Sequence, residues 1–337
     1  MHRALAAGLA ALISLAGAAA QAQEQAQLAW QTFHSRAMEG NAEGNTADRT
    51  VLVVTPPGYA EHPDKRYPVV YFLHGYWATP QMYQEMMHFD TAVQGATEAG
   101  NEVILVMPDG HSALKGGFYS SGPTVGDYET MVTHDLVNWV DANYRTIPNA
   151  DSRGLAGHSM GGYGTIRLAM KHPDVFSSIY MMSACCLPPM EMTAENARAI
   201  EGMTEADVAT AQFGQLAPVS TLATWSPDPA DEGFLNVDTG LRADGTVDPL
   251  VNQRLAANSP LVLLPQYLPA LHSLEAIGID IGDQDFLLEG NRAFMRELDR
   301  FGVDYQFEMY EGDHGNRIAD RLRSDVLPFF AQHLDRD

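Results

Sequence analysis

A serine set between two glycines, in Gly157-His158-Ser159-Met160-Gly161, is the stretch of this sequence best suited to chemistry. It spells G-x-S-x-G and lies between an apolar strand-like run and a helix-like run. A sharp turn from strand to helix pushes one serine hydroxyl out beyond the end of a sheet, as a nucleophile elbow requires. Such a turn packs backbone against backbone and leaves little room for a Cβ, which accounts for glycine on both sides. An activated Ser159 hydroxyl attacks carbonyl carbon, the step shared by hydrolases and acyltransferases. The pattern alone is common: about one chain in ten of this length carries it by chance. Its partners have to be found elsewhere in the chain.

A serine hydroxyl is a poor nucleophile at neutral pH. It needs a base within hydrogen-bond reach and an acidic group to orient that base. Two carboxy-terminal stretches suit these roles in the chain order Ser, Asp, His. Gly282-Asp283-Gln284-Asp285 directly follows an apolar run at 277–281, and Asp313-His314-Gly315 just follows another at 305–310. Both fall where sheet ends place side chains over an elbow.

The elements that must position these groups are legible as an alternation. Short apolar runs at 50–55, 69–73, 103–107, 155–156, 179–182, 277–281 and 305–310 suit strands, most of them buried on both faces. Between them lie helical patterns. Val132, Leu136 and Val140 recur every fourth position within 128–144, and residues 160–172 run from the elbow to Pro173. Phe294, Leu298 and Phe301 mark 287–301, and 318–334 carries Pro328, which predicts a kink or division there. Strand and helix alternating in this way predict an α/β fold with a mostly parallel, doubly wound sheet. Residues 23–48 are polar and show no clear element. Residues 184 to about 272 break the rhythm, with Pro188, Pro189, Pro227, Pro249 and Pro260 among short helical pieces. That stretch is expected to be an insertion over the active site, either a lid that shapes the cavity or a packing excursion.

At this point the sequence resembles the esterase branch of the α/β-hydrolases. That branch includes S-formylglutathione hydrolases, feruloyl and acetyl-xylan esterases, enterochelin esterases and mycolyltransferases. The matching stretches are Pro57-Gly58-Tyr59, the run Tyr67 to Gly75, the block Gly157 to Gly164, Gly282 to Asp285 and Glu311 to His314. The resemblance implies an α/β-hydrolase fold and a serine carboxylesterase, with an acyltransferase or an inactive binding protein on the same fold as alternatives. It implies Ser159 as nucleophile, His314 as general base and acid, and Asp285 as orienting acid, with Asp283 the rival. Two backbone N–H groups would form the oxyanion hole. One is that of Met160. The other belongs to the loop after His74-Gly75, at Tyr76 or else Trp77. Trp77 and His158 are candidate substrate contacts, although His74 and His158 also read as structural residues at strand ends. The expected partner is a small-molecule or polymer-linked ester, and neither cofactor nor metal is called for.

Composition narrows the field. The chain has 337 residues, 45% of them hydrophobic, ample for one large domain. A formal charge of −23, from 43 acidic and 20 basic side chains, argues against nucleic acid and anionic membrane surfaces. His2 and Arg3, an apolar run from Ala4 to Leu15 and the small-x-small site Ala20-Gln21-Ala22 predict a signal peptide over 1–22. The mature catalytic domain would then span 23–337 and work in the periplasm or the medium. Cys185 and Cys186 are the only cysteines and are adjacent, too few for a disulfide scaffold or a thiolate metal site. The His-Glu-x-x-His pattern of zincins is absent. Asp127 and Glu129 suit either the cleft or a helix start, and Asp244-Gly245 suits a turn.

Overall fold

The computed structural model describes residues 25–336 apart from 229 and 231–234. The predicted signal peptide lies outside the described residues. Ten strands are present among them: β1 (Gln27–His34), β2 (Asp48–Thr55), β3 (Val69–Leu73), β4 (Ile104–Pro108), β5 (Ser121–Gly122), β6 (Gly126–Asp127), β7 (Arg153–His158), β8 (Ser178–Met182), β9 (Ala276–Gly282) and β10 (Gln306–Tyr310). Eight of them form one sheet in the order β1-β2-β4-β3-β7-β8-β9-β10, and β5 pairs only with β6. From β4 to β10 every pairing is parallel, while β1–β2 and β2–β4 are antiparallel.

The inner strands β3, β4, β7 and β8 are buried at every position. This is why their sequences are unbroken apolar runs: helices cover both faces of the sheet. Alternate residues serve alternate faces. Val69, Tyr71 and Leu73 join one hydrophobic core, and Val70 and Phe72 join the other. Burying each such side chain contributes about 1.5–3 kcal/mol before entropy is counted.

Strand order reverses between β3 and β7. The chain runs outward from β3 to β4 on one side and from β7 through β10 on the other. Loops leaving β3 and β7 therefore diverge and open a crevice at their carboxyl ends, the usual ligand position in open α/β sheets. Helix Met160–Lys171 leaves β7 there and is buried from Met160 to Met170.

Three features differ from the sequence-based expectation. The polar segment ahead of residue 48 contains β1, an edge strand with seven of its eight residues wholly or partly exposed. Helices Pro80–Met87 and Phe89–Glu98, unread in the sequence, follow β3. The segment at 128–143 is helical but passes through a π-helical stretch at Met131–Leu136. The final helix divides as Pro328 predicts: Ile318–Arg321 and a π-helical Leu322–Val326 precede Leu327–His333. Residues 184–272 hold a series of short helices, including Phe213–Trp225 and Pro249–Ala256.

Candidate active site

Ser159 occupies the turn between β7 and helix Met160–Lys171 with φ 58° and ψ −114°. A non-glycine residue at positive φ is strained, and such strain clusters at functional sites. The surrounding backbone holds it there. The Ser159 N–H donates to the Met182 carbonyl at 3.0 Å, and the Ser159 carbonyl accepts from Tyr163 and Cys185 N–H, each at 3.0 Å. The flanking glycines are required by space. A Cβ on Gly157 would lie 2.4 Å from the Gly161 backbone, and one on Gly161 would lie 1.9 Å from the Leu73 carbonyl oxygen.

Three side chains stand in a hydrogen-bonded line. The Ser159 hydroxyl lies 3.0 Å from His314 Nε2, and His314 Nδ1 lies 2.9 Å from Asp285 Oδ2. The other Asp285 oxygen accepts the Leu287 N–H at 2.8 Å. With Nδ1–H donating to the carboxylate, Nε2 is left to accept the serine proton. Burial pushes the Asp285 carboxyl up, but the His314 and Leu287 hydrogen bonds outweigh it and hold the group below its ordinary range. Asp285 thus stays ionised at neutral pH. Asp283 does not reach His314: its Oδ1 accepts the Gly312 N–H at 3.0 Å. Asp313 also turns away and accepts the N–H groups of Gly315 and Asn316, each at 2.9 Å.

The loop after β3 faces Ser159. A Cβ on Gly75 would lie 3.4 Å from the Ser159 Cβ. Trp77 N–H is committed to the Lys115 carbonyl at 3.0 Å, whereas Tyr76 N–H has no acceptor among the described residues. Of the two candidates in this loop, Tyr76 therefore offers the free donor. The Met160 N–H starts its helix, where backbone donors have no intrahelical acceptor.

A second hydrogen-bonded chain runs behind the line. Gly75 N–H donates to Tyr83 Oη at 2.9 Å, Tyr83 Oη meets His158 Nδ1 at 2.6 Å, and His158 Nε2 meets the His314 carbonyl at 2.7 Å. Only one set of protons satisfies all three contacts. Tyr83 donates to Nδ1, and Nε2–H donates to the carbonyl. Burial, then the neighbouring His314, pushes the His158 pKa down to about 3, so the ring is neutral. Sequence reasoning missed Tyr83, which carries no local signature.

Beside Ser159 opens a cavity of about 470 Å³. Its walls are largely apolar: Tyr76 and Phe118 from the core loops, Met190, Phe213 and Leu255 from the 184–272 insertion, and Phe286 next to Asp285. Tyr76 stacks on Phe118 with ring centroids 5.6 Å apart and meets Phe213 edge-on at 5.3 Å. Neither His158 nor Trp77 lines it, contrary to the sequence-based expectation. His158 is buried behind His314, with the two ring centroids 4.7 Å apart. Trp77, at φ 72°, packs its ring against the wall residues Tyr76 and Phe213, with centroids 6.0 and 6.3 Å away, and under Lys115.

Other polar candidates are structural. His74 Nε2 accepts the Gly110 N–H at 2.8 Å. Asp127 caps its helix by accepting the Thr130 N–H. Glu129 forms ion pairs with Lys171 and Arg167, and its other oxygen meets His172 Nε2 at 2.9 Å. No group of three His, Cys, Asp or Glu side chains among the described residues is placed to hold a metal ion.

Sheet order, elbow and crevice define an α/β-hydrolase. The model of the esterase family, described as "Putative esterase", matches residues 43–317, and the chain belongs to that family. Esterase Rv1288 of Mycobacterium tuberculosis is 36% identical over 134 residues, which cover 38% of this chain and 27% of that protein. S-formylglutathione hydrolase of Paracoccus denitrificans is 27% identical over 173 residues, 45% of this chain and 60% of that protein. The chain thus spans less than two thirds of each of these relatives, and about a quarter of the first. A solved ferulic acid esterase superimposes with a TM-score of 0.65 at 23% identity, covering 92% of this chain and all of its own. S-formylglutathione hydrolase of Agrobacterium tumefaciens gives 0.60 at 18% identity, covering 92% of this chain and 96% of its own.

Proposed function

We propose that this chain is a serine carboxylesterase acting through an acyl-enzyme, with Ser159 as nucleophile, His314 as general base and acid, and Asp285 as orienting acid. The observation that carries this reading is the unbroken line from the Ser159 hydroxyl through His314 to the buried Asp285 carboxylate.

His314 Nε2 takes the serine proton as Oγ attacks the ester carbonyl. The resulting tetrahedral anion is held by Tyr76 and Met160 N–H. Collapse expels the alcohol, protonated by His314. Water, deprotonated by the same ring, then attacks the acyl-enzyme and releases the acid. Because the oxyanion donors are backbone groups fixed before substrate arrives, they stabilise the charge without reorganising. The apolar walls favour an ester with an apolar acyl or alcohol portion. With its signal-peptide pattern at 1–22, the enzyme would work in the periplasm or the medium.

The test is release of p-nitrophenol from a short-chain p-nitrophenyl ester. Ser159→Ala and Asp285→Asn should each cut kcat by about 10⁴-fold or more. Asp283→Asn, which keeps the Oδ1 acceptor for Gly312, should retain most of the activity. Wild-type turnover in Ser159→Ala, or equal losses in the two Asp variants, would defeat the assignment.

A further inference from the structure

Cys185 and Cys186 follow β8 and reach the wall of the cavity beside Ser159. Both are free and half-buried. Their sulfur atoms are set against each other, 2.6 Å apart. The chain is anchored on either side of this pair. Cys185 N–H donates to the Ser159 carbonyl at 3.0 Å. The Leu187 carbonyl accepts from Ser259 Oγ at 2.6 Å and from Leu261 N–H at 3.1 Å. Cys186 is the joint between the two anchors, and its φ of 58° lies in the left-handed region. The backbone therefore holds two thiols against each other in a wall that has no other thiol.

We propose that Cys185 and Cys186 form a vicinal dithiol–disulfide couple in the wall of the ester cavity, closed by exchange with a small-molecule disulfide. Consecutive Cα atoms are about 3.8 Å apart, below the span of about 4.4–6.8 Å that disulfides favour. A bond between neighbours is therefore of the labile, readily reduced kind. Burial holds the Cys185 thiol above its ordinary range, and Cys186, at the joint between the two anchors, makes the first attack. Its thiolate bonds to one sulfur of the reagent, whose S–S bond breaks, and the departing thiolate takes a proton from solvent. Cys185 gives its proton to solvent and displaces the second reagent thiol from Cys186. The pair loses two electrons and two protons, and the reagent gains them as two thiols. The elbow need not move, because Cys186 is the joint.

The open pair is also a chelate for trivalent arsenic. An aryl arsenoxide forms two As–S bonds, and its oxygen leaves as water with the two thiol protons. The aryl group then occupies the cavity that Ser159 faces. Closing the disulfide removes both sulfurs from this reaction.

The experiment has two arms, both on the full chain. In the first, protein is exposed to oxidised glutathione, and free thiols and intact mass are followed. Two alkylatable thiols should disappear with no glutathione retained, and dithiothreitol should restore both. Two thiols surviving exposure, or a stable glutathione adduct on the wild type, overturns the proposal. In the second, phenylarsine oxide is added to reduced and oxidised protein, and treated-to-untreated ester turnover is compared. The reduced wild type should lose most of its turnover and the oxidised form should not. Cys186→Ser should be insensitive in both states. Equal sensitivity of both wild-type forms, or of Cys186→Ser, overturns the placement of the couple in the cavity wall. This second arm rests on the esterase reading, whereas the thiol count does not. A protein without ester turnover would still decide the couple by mass.

Discussion

The residue before the proposed nucleophile steers the histidine that serves it. His158 links the Gly75 loop, through Tyr83, to the His314 carbonyl, so the elbow, the loop after β3 and the His314 loop share one hydrogen-bonded chain. That chain tolerates only a neutral His158. A proton on Nδ1 would face the Tyr83 hydroxyl and strand the tyrosine hydrogen. The folded pKa, pushed down to about 3, lies below the ordinary 6.5. The unfolded chain therefore takes up a proton that the folded chain refuses. This contribution to stability is complete above pH 6.5 and is lost as pH falls from 6.5 toward 3. The slope is at most about 1.4 kcal/mol per pH unit. His158→Gln should flatten that acid limb, as read from melting temperature between about pH 7 and pH 4. Parallel slopes in variant and wild type would remove His158 as the source.

At the level of elements, the carboxy-terminal helix is fastened to the sheet by one buried cation. Arg321 Nε donates to Asp280 of β9 at 2.9 Å, and its Nη1 meets Glu308 of β10 at 3.0 Å and Asp325 at 2.8 Å. Asp280 is buried, which pushes its pKa up to about 7 even with Arg321 beside it. Arg321→Met should lower stability by about 3–5 kcal/mol, because it leaves that carboxylate without its counter-charge. The loss should be greatest above pH 7 and shrink as Asp280 protonates. Urea midpoints at two pH values check both statements, and a pH-independent loss would contradict them. Pairs of this kind are invisible in the sequence. Tyr83 and His158 are separated by 75 positions, and Asp280 and Arg321 by 41. What the sequence does expose is local. Inner strands such as 69–73 are unbroken apolar runs because both faces are covered. Ser159, Asp285 and His314 stand in the chain order an elbow demands. The edge strand β1 escapes notice because it buries only Phe33 and exposes Trp30 among polar Gln27, Gln31, Thr32 and His34. Trp77 reads as a pocket wall by its neighbourhood, but its ring packs against the wall residues Tyr76 and Phe213 without lining the cavity itself.

Across the whole molecule, the sheet and the insertion contribute different things. β7 and its helix supply Ser159, whereas Met190, Phe213 and Leu255 of the insertion supply much of the apolar wall. Phe213 is half exposed and rests against Tyr76. Phe213→Ala should reduce kcat/KM for long or bulky acyl esters about ten-fold relative to an acetyl ester. The acetyl ester serves as internal control for the oxyanion loop. A uniform loss across both substrates would show that the variant has disturbed Tyr76 instead. The burial of helix Met160–Lys171 bears on how such a protein changes over time. Sequence drift along that helix meets packed neighbours at almost every step, so the bond-breaking apparatus is inherited nearly intact. Around residues 188–192 and 213–221, Pro188, Pro189, Met190, Phe213, Ala217 and Pro218 line the cavity, and Met192, Leu216, Val219 and Ser220 are buried. New substrate preferences can therefore arise at the cavity-lining positions by small mutational steps, and a randomised library confined to them would explore diet while leaving the core intact.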